Sequence, residues 1–285
     1  MLPLRDLVAW RPHAPWASDI QVEQDLLLTR AMQLIFQDDF LSSQLAMRGG
    51  TVLHKVHLAP AARYSEDIDL VQTGDRPVAH VEKALKRVLA SLLGRPRASM
   101  VADVTLAVRN LLMPSKILRL DYEYRPTTDD QVAARIKIEV NHTERQPFYA
   151  IVELPYRPAL PEGPADVVLR SYDIDEMLGT KMRALLQRTQ GRDLFDLWWA
   201  WTASEAGQAL HTIDPDRTVA AFNDYMRREG NEISQSDFAD ELARKMKLRT
   251  FRHDTTVMLR KGLPLYDPHE AESVVKQVLL CRLKA

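Results

Sequence analysis

The hydrophobic period changes along this chain, and that change limits the folds open to it. Between residues 100 and 153, apolar residues alternate with polar ones or form short runs. The stretches are VADVTLAVRNLLM, SKILRLDYEY, AARIKIEVNH and FYAIVEL, punctuated by Pro114, Pro126 and Pro147. Period two with β-branched and aromatic residues, broken by proline, is the pattern of short strands, and consecutive strands tend to be neighbours. A proline-rich connector over 155–164 ends this region. Beyond it the period is helical, over 173–189, 193–203, 216–228, 235–247, 255–261 and 268–284. The expected class is α+β, with a mixed sheet and covering helices over 1–160 and a mainly helical domain over 161–285.

Ahead of the strands, Ser18 or Asp19 can cap a helix through QVEQDLLLTRAMQLIF, with Val22, Leu26, Leu27, Ala31, Leu34 and Ile35 at helical spacing. Residues 45–47 read as a strand, followed by a Gly-Gly turn, a short helix over 51–56 and an acidic strand. Residues 78–93 form a second amphipathic helix that Gly94-Arg95-Pro96 stops.

Several function classes are excluded on content. The only cysteine, Cys281, leaves no disulfide framework and no cysteine-based zinc site, which fits a reducing cytoplasm. No apolar run approaches the roughly 18 residues of a membrane span, so no membrane partner is expected. The eight histidines show no metal-ligand spacing, and neither a GxSxG elbow nor a P-loop is present. A net charge of −1 argues against a uniformly basic nucleic-acid binder. Lysine and arginine nevertheless gather over 181–192 and 244–261, and a local patch suffices to steer RNA.

The densest chemistry lies over 47–71. In Glu66-Asp67-Ile68-Asp69-Leu70 the acids Asp67 and Asp69 share one strand face, roughly 7 Å apart along the backbone, while Ile68 and Leu70 can be buried. Hard cations such as Mg²⁺ favour a few carboxylates together with substrate phosphates. Upstream, Gly49 and Gly50 before Thr51 allow backbone N–H groups to approach a phosphate. In Ile136 to Val140, Glu139 and Lys137 share the face opposite the apolar residues. Lys181 and Arg188, seven apart, are expected on one helical face two turns apart, placed to meet triphosphate or RNA. Asp196 is equally explained by an intrahelical pair with Arg192, worth about 0.3–0.5 kcal/mol, or by a role in a site. Trp198, Trp199 and Trp201 are read as packing between the two domains.

Gly49-Gly50-Thr51 followed by Arg63, Ser65, Asp67, Asp69 and Leu70 resembles the nucleotidyltransferase signature of the polymerase-β-like superfamily, and more narrowly the AbiEii/AbiGii toxin family. The superfamily usually has Gly-Ser where this chain has Gly49-Gly50 with Thr51, and its gap to the first Asp is usually shorter. The run from Asp173 to Lys181, with Arg188 and Arg192-Asp193-Leu194-Phe195-Asp196, resembles the same family. The resemblance implies a polymerase-β-like fold with Glu139 as third carboxylate. It implies Mg²⁺ (or Mn²⁺) on Asp67, Asp69 and Glu139, and an NTP on Gly49, Gly50, Thr51, Arg63, Ser65, Arg188 and Asp196. Lys181 would neutralise charge on the leaving phosphates. The product is transfer of NMP to an acceptor hydroxyl, RNA and first the tRNA 3′ end, by a toxin that a separately encoded antitoxin restrains. The alternative is a catalytically silent module of the same shape that binds nucleotide, RNA or a partner protein.

Overall fold

The computed structural model describes residues 2–108, 111–163, 165–207 and 209–284, with backbone alone over 102–116. Arg109 and Asn110, within the expected strand run, and Pro164, at the end of the expected connector, lie outside the described residues. The elements in chain order are α1 (Leu4–Trp10), α2 (Asp19–Gln37), α3 (Asp39–Gln44), β1 (Leu45–Arg48), α4 (Gly49–Val52), a π-helical turn (Leu53–His57) and β2 (Asp67–Gln72). There follow α5 (Val78–Leu93), β3 (Ala98–Val108), β4 (Leu111–Tyr124), β5 (Ala134–Asn141), β6 (Val152–Tyr156) and β7 (Val167–Ser171). The chain ends with α6 (Ile174–Gln187), α7 (Gly191–Glu205), α8 (Pro215–Arg228), α9 (Gln235–Met246), α10 (Arg249–Arg252), α11 (Pro268–Val278) and a 3₁₀ turn (Leu280–Arg282).

Local chemistry sets several boundaries. Ser18 forms a capping box with Gln21 at the start of α2, satisfying end groups the helix itself leaves open. Asp173, Asp214, Ser234 and Asp267 cap α6, α8, α9 and α11 more simply, each side-chain oxygen accepting from backbone N–H groups of the first turn.

The strands form one seven-stranded sheet in the order β3-β4-β5-β2-β1-β7-β6, with β2–β5 and β1–β7 parallel and the other neighbours antiparallel. One face is apolar: Ile68 and Leu70 of β2, Leu118 and Leu120 of β4, and Ile136, Ile138 and Val140 of β5 are buried. Helices α2 and α5 pack together and against this sheet. The other face carries Arg119, Lys137, Glu139, Asp67 and Asp69, brought side by side by register.

The structure departs from the sequence reading in several places. Strand β7 lies past residue 160 yet pairs with β1 and β6, and one buried apolar cluster runs from Leu27 to Leu283 through both expected regions. Trp198 and Trp199 are buried within that cluster, Trp199 stacked on Phe195 at 6.2 Å. Residues 255–261 are not a helix: Tyr64 N–H donates to the Met258 carbonyl and Arg260 N–H to that of Ala62, so their backbone pairs outward to another segment. Helix α11 ends at Val278, short of the expected 284. Helix α6 stops at Gln187, leaving Arg188 extended rather than on the helical face of Lys181.

Candidate active site

Register assembles the acidic centre. Strand β2 pairs β5 so that Asp69 lies beside Glu139 and Asp67 beside Lys137, while antiparallel β1 sets Arg48 beside Asp69. Gly49, next in the chain, turns with φ +82° and brings its backbone against the Asp69 carboxylate; a Cβ there would lie 2.1 Å from Oδ2. A left-handed backbone this close to another group requires glycine. Gly50 is backed from behind, where a Cβ would lie 2.6 Å from Arg63 Nη2 and 3.1 Å from Ser65 Oγ. The Thr51 hydroxyl donates to the Asp67 carbonyl and lies in hydrogen-bond contact with Ser65 Oγ at 2.9 Å, tying the turn to the start of β2.

In front of the sheet is a cleft of about 310 Å³ whose opposite wall is α6. Of the residues expected at the site, Gly49, Asp69, Glu139, Lys181 and Arg188 line it. Arg188 reaches it from the end of α6, where its guanidinium grips Asp193 through Nε at 2.7 Å and Nη2 at 2.8 Å. Burial works against the Arg188 charge, yet Asp193 and then Asp69 hold its pKa above the ordinary arginine value.

Arg63 and Asp196 stand behind the cleft. The Asp196 carboxylate is fully buried and takes Arg63 Nε at 2.6 Å, Arg63 Nη2 at 2.7 Å, Lys181 Nζ at 2.7 Å and His54 Nε2 at 2.8 Å. Burial opposes its ionisation, but Arg63 and then Lys181 outweigh that and hold Asp196 well below the usual carboxylate range. Burial also pushes His54 down to about 4 despite the aspartate beside it, so His54 is neutral at pH 7. The intrahelical Arg192–Asp196 pair is not formed: the Asp196 oxygens are directed to Arg63, Lys181 and His54, and the Arg192 side chain bonds Gln190.

Other members of the cleft escaped the sequence reading. Glu144 accepts from Arg48 at 2.9 Å and from Arg183 Nη1 at 2.7 Å, and Arg183 lies over the Tyr225 ring. Burial opposes the Glu144 charge, but Arg48 and Arg183 hold it well below the ordinary range. Arg119 joins Glu139 at 2.7 Å from the neighbouring strand. Alternation in β4 was visible in the sequence; convergence on one cleft was not.

The donor chemistry of Asp67, Asp69 and Glu139 fits Mg²⁺ or Mn²⁺, all of it carboxylate oxygen on one rigid face. Burial raises Asp67 to about 6; Lys137 opposes that rise, and Asp69 and Glu139 add to it. Lys137 Nζ sits 3.0 Å from Asp67 Oδ2, and Arg119 holds Glu139. Among the described residues no three acidic, histidine or cysteine groups converge as a ligand set. The carboxylates fit the ion by donor chemistry, and register sets Asp69 beside Glu139, while Lys137 engages Asp67 and Arg119 engages Glu139.

A family model described as nucleotidyl transferase AbiEii toxin, type IV toxin–antitoxin system, matches residues 30–277. No curated protein matches the chain. Among solved structures, JHP933 from Helicobacter pylori is similar at 16% identity, TM-score 0.51, with 93% of this chain and 94% of that one covered. MenT4, a nucleotidyltransferase toxin from Mycobacterium tuberculosis H37Rv, is similar at 16% identity, TM-score 0.50, covering 98% of this chain and 90% of that one. These likenesses show a shared fold, and the family model spans sheet and helices together.

Proposed function

The chain belongs to the AbiEii nucleotidyltransferase toxin family, and on that premise we propose that it transfers NMP from an NTP to an RNA hydroxyl, the tRNA 3′ end first. It is a nucleotidyltransferase and the toxin of a type IV toxin–antitoxin system, which implies an antitoxin partner. Among the described residues no helix is long and apolar enough to cross a membrane. The observation that carries the proposal is the pairing of Asp69 with Glu139 on adjacent strands, under the Gly49 turn and facing Lys181 and Arg188 across one cleft.

In the proposed step the acceptor hydroxyl gives up its proton to solvent and its oxygen bonds the α-phosphorus while the bond from that phosphorus to the oxygen bridging the β-phosphate breaks. Pyrophosphate leaves with the electron pair. Phosphoryl-type transfer depends mainly on positioning and on charge placed where charge grows. Lys181 and Arg188 take the leaving phosphates, and Gly49 lets the backbone approach them without a side chain between. Gly50, Thr51 and Ser65 hold that turn in place, and Arg63 with Asp196 fixes Lys181. A divalent cation on Asp67, Asp69 and Glu139 would neutralise phosphate charge and make the acceptor hydroxyl more acidic.

The test incubates the protein with total RNA and each NTP labelled at the α-phosphate in turn. Label is expected in RNA, and the favoured NTP and acceptor are named together. Asp69→Ala and Asp67→Ala are each expected to abolish transfer without lowering the melting temperature. Label only in protein bands would exclude RNA as the acceptor, and near-normal transfer by either variant would remove the acidic centre from the mechanism.

A further inference from the structure

Residues 247–261 gather positive charge that the chain as a whole lacks. Lys247, Arg249, Arg252, Arg260 and Lys261 fall within fifteen positions, against one carboxylate, Asp254. That carboxylate is already engaged, since its Oδ2 accepts from the Arg192 backbone N–H at 3.0 Å. Among the described residues none of the five cations has a carboxylate partner, whereas nearby Arg244 and Lys245 are both paired with Glu241. Lys247, Arg249 and Lys261 are exposed. Five cations without a carboxylate partner in one short segment, in a protein of net charge −1, make a local positive field.

The strip is fastened next to two segments that carry site residues. At one end Gly191, three residues past cleft-lining Arg188, packs so closely on the Phe251 carbonyl that a Cβ would lie 1.9 Å from its oxygen. At the other, the segment is hydrogen-bonded to residues 62–64 at 2.8 and 2.9 Å, beside the Arg63 that backs the Gly-Gly turn. Such attachments fix the backbone of the segment, none of whose residues lines the cleft itself. An acceptor that must place one terminal hydroxyl inside the cleft has to lay its remaining chain across an adjoining surface. A repeating phosphate backbone is the chain whose charge fits this strip.

We infer that residues 247–261 form the docking surface for the phosphate backbone of the acceptor RNA. The inference rests on the RNA reading above. It places backbone contacts on Lys247, Arg249, Arg260 and Lys261, which position the acceptor without reading its sequence.

The experiment compares wild type with the combined K247Q/R249Q/R260Q/K261Q variant, using fluorescein-labelled bulk tRNA across a salt series. Each lost phosphate contact lowers the slope of log affinity against log salt by about 0.7–0.9, so four lower it by about 3. Affinity at low salt should fall at least tenfold, transfer should show a raised KM for RNA with kcat retained, and NTP-induced thermal stabilisation should be unchanged. Equal tRNA affinity and equal salt slope in variant and wild type would overturn the docking surface while leaving the transferase intact. Binding of poly-glutamate weakened with tRNA binding unchanged would assign the strip to an acidic protein and overturn it also. No tRNA binding by wild type, with NTP stabilisation present, would end both the surface and the RNA reading without touching the nucleotide site.

Discussion

Asp196→Ala should destabilise the protein far more than any change to the acidic face. The wild-type carboxylate is fully buried and receives Arg63 through two nitrogens, Lys181 and His54, at 2.6–2.8 Å. Its removal leaves Arg63, 3% exposed, with the Tyr64 carbonyl, and Lys181, 6% exposed, with Asp193 at 3.3 Å. Breaking a buried ion pair by deleting one partner typically costs about 3–5 kcal/mol, because the other charge remains desolvated. For a chain of this size that corresponds to a drop in melting temperature of roughly 10 °C. Thermal and urea unfolding followed by far-UV circular dichroism would measure both quantities. Asp196→Asn, which keeps one acceptor oxygen, should fall between wild type and Asp196→Ala. A melting temperature for Asp196→Ala within one or two degrees of wild type would falsify the view that this carboxylate anchors Lys181 and Arg63.

Gly49→Ala should cost about 1–2 kcal/mol for the left-handed backbone alone. Its Cβ would also displace the Asp69 carboxylate, so transfer should be lost even where the variant is folded; wild-type transfer rates would show that the close approach is dispensable. Stability should fall on mild acidification. Burial lowers His54 and His57 to about 4, below the unfolded value near 6.5, so between those pH values the unfolded chain binds more protons and stability drops as pH falls. The loss is roughly 1 kcal/mol per histidine by pH 5.5, rising to about 3 by pH 4. Urea unfolding at pH 7.5 and 5.5 should resolve it for wild type, with a shallower dependence in His54→Gln; a flat wild-type profile would contradict the buried neutral histidines.

What the sequence determined by itself is whatever depends on local order. The period of 78–93 marked α5 to its end residues, because a helix presents one face every 3.6 residues and Gly94 stops it. Alternation in β2 and β5 put Asp67, Asp69 and Glu139 on polar faces, since successive side chains on a strand must point oppositely. Only the tertiary structure decided which of these faces meet. Strand order and register set Glu139 beside Asp69 and Arg119 on Glu139, a pairing between residues 20 to 70 positions apart that no local pattern encodes. Packing likewise decided that Arg63 and Asp196, legible as motif residues, spend their charge on each other behind the cleft. It also decided that Glu144, Arg48 and Arg183, which carry no local signature, enter it. The 255–261 segment escaped because its backbone partners lie elsewhere in the chain and overrule its helical pattern, and the place of β7 between β1 and β6 is likewise set by distant partners.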